Sequence, residues 1–315
     1  EGALDPAPAA GEPRTRYYAI GDPQTRLEQF LAILDSRQLI GDDGWLCREG
    51  GLGCMGDYFD FRAAHTHDPE ELESAGQSGL LILEWLAAHP PDQVVLLFGN
   101  HDAARVMELC RIDDVRFAMA RDLALAAFQS QPRERRRIEA EFLERFGDIP
   151  TPEVARRDFS TFHSSQREAL QRHLMAGRLC LAVVGKRTGQ PVLLTHAGLT
   201  VRELEILGLS RESSACTIAR ALNDCLTERV AQVAPLWANG AAAALDLEPL
   251  HVAGVSGQEA GGFLSHRPAN PERSGVGRQP DLSWEFRPER PRRFHPHDLP
   301  PGLVQACGHT RAPSS

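Results

Sequence analysis

The chain has 315 residues, 42% of them apolar and 24% charged, a globular composition with enough apolar material for a sizeable core. Its formal net charge of −9 argues against nucleic acid or an anionic membrane as the main partner, because phosphate-rich surfaces are bound through excess Lys and Arg. No apolar stretch approaches the roughly 18 residues that a membrane-crossing helix needs. A small phosphorylated ligand needs only a local positive site and stays compatible with this balance.

There are seven cysteines, an odd number with no C-x-x-C pair. That points away from a disulfide framework or a structural zinc site, and toward a reducing, cytoplasmic compartment. The Ala/Pro/Gly-rich opening, 1–15, reads as a disordered leader or a cut end, and 16–315 as one domain. The close, "GHTRAPSS", also reads as a cut.

In chain order, five apolar runs are predicted as buried strands: Tyr17–Ile20, Leu52–Met55, Val94–Phe98, Val192–Leu194 and Leu303–Ala306. Helical patterns lie between them. "TRLEQFLAILDSR" puts Leu27, Phe30, Leu31 and Leu34 on one face, and "SGLLILEWLAAH" precedes the third strand. The alternation predicts an α/β fold around a central sheet. Residues 103–177 read as a helical insertion over one edge of the core. Its charge run, "QPRERRRIEAEFLERF", interleaves Glu with Arg and reads as a solvated helix face. Residues 254–299, rich in Pro and Arg, read as a long loop.

Each strand is followed by glycine and a polar residue. In order these are Gly21-Asp22-Pro23-Gln24, Gly56-Asp57-Tyr58-Phe59-Asp60, Gly99-Asn100-His101-Asp102, Thr195-His196-Ala197-Gly198 and Gly308-His309-Thr310. Ligand sites of α/β sheets gather at the carboxyl ends of strands, and glycine lets the backbone turn sharply there. Carboxylate, amide oxygen and imidazole together are ligands for Mn, Fe or Zn. A carboxylate can bridge two cations that polarise a phosphoryl group and generate a hydroxide near neutral pH. His101 would then protonate a leaving oxygen, with Asp60 orienting its ring. Any one of these turns is commonplace; five in order at five strand ends make a metal site the better reading.

These blocks resemble the calcineurin-like metallophosphoesterase superfamily, whose pattern runs GDxH, GDxxD, GNH(E/D), an apolar strand ending in His-x-Gly, and GHx. Within it the chain looks most like the phosphoprotein-phosphatase-like branch, in particular the Shewanella-like phosphatases, on "LDSRQLIGDDGWLCREGGLGCMGDYFD", "VVLLFGNHDAARVMEL" and "VLLTHAGLT". The resemblance spans about Tyr17 to Thr310. It implies a four-layer α/β/β/α sandwich with a dinuclear site at its rim. It further implies that Asp22, Gln24 and Asp57 hold a first cation, that Asp57 bridges, and that Asn100, His196 and His309 complete a second. His101 with Asp60 would be the acid dyad. The expected cofactors are two divalent ions, Mn first, with Fe, Zn or Mg as the other candidates.

Two positions depart from the pattern. Gln24 stands where the pattern has His, and an amide oxygen is the weaker ligand for borderline cations. Asp60 is followed by Phe61 and only then Arg62, where the protein-phosphatase pattern has Asp-Arg-Gly. Phosphate recognition then falls to Arg62, Arg105 or Arg267. The expected function is a phosphohydrolase of phosphomonoesters, small or on phosphoproteins, working through a metal-bound hydroxide. The alternatives are a hydrolase of nucleotides or dinucleoside polyphosphates, and a degenerate phosphatase that binds without turnover.

Overall fold

A computed structural model describes residues 16–61, 68–268 and 290–309. The 1–15 leader and Arg62 lie outside the described residues. The first half of the chain alternates short strands with helices, as parallel pairing requires. β1 (Arg16–Ile20), β2 (Gly50–Cys54), β3 (Val94–Leu97) and β4 (Leu179–Cys180) form one parallel sheet in that order. α1 (Leu27–Asp35) and α2 (Pro69–Ala87) make the first two crossovers. Arg26, which precedes α1, makes no side-chain cap, an omission of about 1 kcal/mol. Phe30 and Leu34, both buried on the helix's inner face, contribute about 1.5–3 kcal/mol each, so docking rather than capping holds α1. α2 has both devices: Asp68 accepts from the Glu70 N–H, and Ile82, Leu83 and Leu86 are buried.

A single residue, Leu181, separates β4 from β5 (Ala182–Arg187), which starts a second sheet of order β11 (Gln305–Cys307), β6 (Gln190–Thr195), β5. β5 and β6 pair antiparallel through a turn at Thr188-Gly189, and β11 lies parallel to β6. α7 (Ala215–Ala238) packs on this second sheet, with Ile218, Leu222, Leu226 and Val230 buried at four-residue spacing. Its Asn223 fastens the link between sheets, accepting from the Leu181 and Ala182 N–H groups and donating to the Ala182 carbonyl. The fold is therefore mixed α/β with a parallel sheet, as the alternation predicted. β4 and β5 were not legible as strands.

Within 103–177, α4 (Asp114–Gln129), α5 (Pro132–Arg145) and a π-helical turn at Val154–Asp158 enclose a second apolar cluster around Phe117, Phe142, Phe146 and Phe162. α6 (Ser164–Met175) is different: Ala169, Leu170 and Leu174 belong to the main core. The Arg/Glu run of α5 forms exposed intrahelical pairs, Arg137–Glu134, Arg135–Glu139 and Arg145–Glu141, which solvent screens. The long loop predicted over 254–299 is tied down by two-residue pairings among its described residues: β8 (Gly261–Gly262) with β7 (His251–Val252), just before it, and β9 (Arg267–Pro268) with β10 (Arg293–Phe294). All seven cysteines are free. No helix among the described residues is long and apolar enough to cross a membrane.

Candidate metal centre

Four of the five strand-end blocks meet at one place. His196 follows β6, Asn100 and His101 open α3 (Asn100–Val106) directly after β3, Asp57 follows β2, and His309 follows β11. His196 Nδ1 lies 2.7 Å from the Met55 carbonyl oxygen, so Nδ1 carries the proton and donates it. In the neutral ring that metal ligation requires, Nε2 then carries the lone pair. Around it lie Asn100 Oδ1 at 3.0 Å, His309 Nδ1 at 3.2 Å and Asp57 Oδ2 at 3.5 Å. One ligand atom each from Asp57, His196 and His309 lies within 4.8 Å of the others. A lone pair facing an amide oxygen and a carboxylate is unfavourable until a cation shares them. Imidazole nitrogens with a carboxylate and an amide oxygen are a donor set that suits Mn, Fe or Zn. Burial, with the nearby His196 and Arg267, pushes the His309 imidazole well below its ordinary value, which keeps it neutral as a ligand must be.

Asp22, the fifth block, sits beside this cluster. Its two oxygens accept from the His309 backbone N–H at 3.0 and 3.1 Å, and Oδ1 is 3.8 Å from His196 Nδ1. Burial and then the Asp57 carboxylate push the Asp22 carboxyl above its usual range. A nearby cation would reverse that push. Gln24 is half-buried two residues on and makes no hydrogen bond among the described residues. Asn100, His196 and His309, expected around the second cation, thus lie together with Asp57. Of the set expected for the first, Asp22 and the shared Asp57 are near, and Gln24 is not tied to them.

The loops are built for close approach. A Cβ on Gly99 would meet Asp57 Oδ1 at 2.2 Å, and one on Gly308 would meet Asp22 Oδ1 at 2.5 Å. Asp57, Asp60 and His309 hold left-handed backbone angles, with φ of 57°, 65° and 54°. Such conformations cost roughly 1 kcal/mol or more each and persist where the surroundings dictate them. Asp102 is one of those surroundings. Fully buried, it accepts from the Asp57, Tyr58 and Gly99 N–H groups at 2.9, 3.2 and 2.9 Å. Burial, with Asp57 beside it, pushes its carboxyl up to about 6. In the sequence Asp102 is the last residue of "GNHD" and has no role among the expected ligands. Its place at the third residue of a helix, where a carboxyl reaches back to the N-cap amide, was the available signal.

His101 and Asp60, expected as an acid dyad, are in contact. His101 Nδ1 is 2.8 Å from Asp60 Oδ2, and the His101 N–H donates to Asp57 Oδ1 at 2.8 Å. Burial lowers the His101 imidazole, but the Asp57 and Asp60 charges outweigh it and bring it to about 9. Asp60 is likewise penalised by burial, and Arg105 with His101 holds its carboxyl below the ordinary range. Arg105, one of three arginines expected to grip phosphate, is fully buried and engaged elsewhere. Its two terminal nitrogens donate to Asp60 Oδ2 at 2.9 Å and Oδ1 at 2.8 Å, and its Nε donates to Gln166 Oε1 at 2.9 Å. Its guanidinium lies 4.6 Å from the Phe59 ring centre and 5.3 Å from that of Phe159. No donor is left facing solvent, so the phosphate role does not fit it.

Arg267 does face the site. It lines a cleft of about 730 Å³ together with Asn100, His101 and His309, walled on the other side by Val154 and Phe159 of the insertion. Its Nε is buried with no hydrogen-bond partner among the described residues. The parallel β9–β10 pairing sets Arg267 in register with Arg293, and burial, then Arg292 and Arg293, push its guanidinium downward. Like charges held side by side at a cleft mouth favour an anion between them. Comparison of the chain with protein-family models, with curated proteins and with solved structures finds no match in any of the three.

Proposed function

We propose that the chain is a metal-dependent phosphohydrolase of phosphomonoesters, built on the four-layer α/β/β/α metallophosphoesterase sandwich. One observation carries the reading: the His196 lone pair, Asn100 Oδ1, the Asp57 carboxylate and His309 converge at strand ends, beside the cleft shared by His101 and Arg267. Divalent cations bound there supply Lewis-acid activation of the phosphoryl group and of a water. The chain's own groups do the rest. Arg267 receives the phosphate oxygens through its unpartnered Nε. Asp60 holds the Nδ1–H of His101, which leaves Nε2 to give its proton to the leaving oxygen. The test is purified protein, stripped of metal and assayed on p-nitrophenyl phosphate with Mn, Mg, Zn or Fe restored. Metal-dependent turnover that disappears in Asp57→Asn supports the reading; no turnover with any metal overturns it.

A second reading, hydrolysis of nucleotides or dinucleoside polyphosphates, is favoured by the cleft itself, whose volume suits a small molecule and whose lining includes Arg267 and Arg293 beside the ion-paired Arg157 and Arg292. Relative rates on phosphopeptides and on dinucleoside polyphosphates separate the two.

A further inference from the structure

The charge network behind His101 is more elaborate than a simple Asp–His pair. Asp60 accepts four hydrogen bonds or ion pairs: one from His101, two from the Arg105 fork, and one from Thr161 Oγ1 at 3.1 Å. Arg105 also donates to the His101 backbone carbonyl at 2.8 Å, one helical turn back. Its Nε end is held by Gln166, which is itself fixed by donating to the Gly76 and Thr161 carbonyls at 3.3 and 2.8 Å. Phe159 lies 4.8 Å from the His101 ring, centre to centre, and 5.3 Å from the Arg105 guanidinium carbon. A planar fork bound to both oxygens of a carboxylate leaves that carboxylate no freedom to rotate. The direction of the remaining Asp60 lone pair toward His101 Nδ1 is therefore set by Arg105.

We propose that Arg105, braced by Gln166, is a positioning residue for the proton donor His101, acting through Asp60 and never touching phosphate. This rests on the phosphohydrolase reading above. In the step it serves, an oxygen from water bonds to phosphorus and the P–O bond to the leaving group breaks. The electron pair of that bond stays on the leaving oxygen, which takes the Nε2 proton of His101. The water's proton passes to solvent. His101 ends neutral, with Nδ1–H still on Asp60. Arg105 thereby matters in proportion to how much the leaving oxygen needs a proton, which a packing role would not.

The test is a leaving-group series: phenyl phosphate, p-nitrophenyl phosphate and 2,4-dinitrophenyl phosphate, with Mn restored. Arg105→Met is expected to lose about 100-fold in kcat on phenyl phosphate and only a few-fold on the dinitrophenyl ester, with KM within about twofold throughout. Arg105→Lys, which keeps the charge without the fork, should fall between. An equal loss across the series, or a rise in KM with kcat unchanged, overturns the proposal. Should Arg105→Met fail to fold, Gln166→Leu removes the brace alone and is expected to show the same graded pattern, weaker. A measurement on the metal-free protein separates this from the parent reading. The Nδ1 proton of His101 should resonate far downfield in the wild type and be lost in Arg105→Lys and Gln166→Leu. Its persistence unchanged in both overturns the positioning role, whereas a wild type inactive on all three esters overturns the phosphohydrolase reading and leaves the resonance to decide positioning.

Discussion

Two polar clusters lie within one helical turn of each other at the head of α3, and they are built on opposite principles. Around Asp60 every charge is answered. A carboxylate faces a guanidinium fork, an imidazole and a hydroxyl, with two aromatic rings closing the sides. Around His196 the facing atoms are its Nε2, an amide oxygen, a second imidazole nitrogen and the Asp57 carboxylate, with Asp22 held close by. The first cluster is complete as folded. The second gathers donor atoms that the proposed cation would share. The contrast teaches that the arrangement of donor atoms, and not only residue type, separates a closed charge network from a candidate cation site.

The contrast can be broken in order of expected effect. Asp57→Asn should abolish metal-dependent phosphatase turnover by at least about 10³-fold, read on p-nitrophenyl phosphate, because the charge that holds the cation is gone. Stability should show the two clusters with opposite signs. Arg105→Met strands a buried Asp60 charge and should cost about 3–5 kcal/mol in urea unfolding. Asp22→Asn, in the metal-free protein, removes one of two repelling carboxylates and should raise the unfolding midpoint, a gain that Mn erases in comparison with the wild type. If both substitutions destabilise the metal-free protein alike, the two clusters do not differ in the way described.

Arg267→Met should raise KM for p-nitrophenyl phosphate by roughly tenfold or more with a smaller change in kcat, since it removes the unpartnered donor at the cleft. The pH dependence sharpens the same comparison. The Asp22 carboxyl is raised in the folded protein, so its contribution is full below about pH 4 and is lost as pH rises through its folded value. The Asp60 carboxyl is lowered, so its contribution is full above about pH 4 and is lost as pH falls through its folded value. Unfolding midpoints measured in chelator against pH should therefore gain from Asp22→Asn on the neutral side. They should lose from Asp60→Asn on that side, a loss that shrinks toward acid. The smallest effect is expected at position 24. Gln24→His should tighten binding of one added cation, seen in a metal titration; superimposed curves for the two forms would exclude residue 24 as a ligand.

Much of this arrangement was legible from the chain. The strand-end residues were readable because a buried strand and a glycine turn leave a local mark, and Asp57, Asn100, His101, His196 and His309 carry it. The β5–β6 hairpin turns at Thr188-Gly189 with both φ angles positive, and Thr-Gly is a weaker sequence mark for such a turn than Asn-Gly or Asp-Gly. The direction of Arg105 was half visible, since positions 101 and 105 share a helix face. What decided its role was Gln166, 61 residues away, and Thr161, 101 residues from Asp60, which no local pattern can supply. The pairing of Arg267 with Arg293 has the same character: two residues of β9 and two of β10 meet only in the folded chain.

The central claim is that the cluster of Asp57, Asn100, His196 and His309 is a cation site. Calorimetric titration of Mn into the metal-stripped protein tests it most directly. The prediction is saturable binding in the wild type that is lost in Asp57→Asn and in His196→Ala while both variants stay folded by circular dichroism. Absence of binding in the wild type, or binding unchanged in both variants, would contradict it.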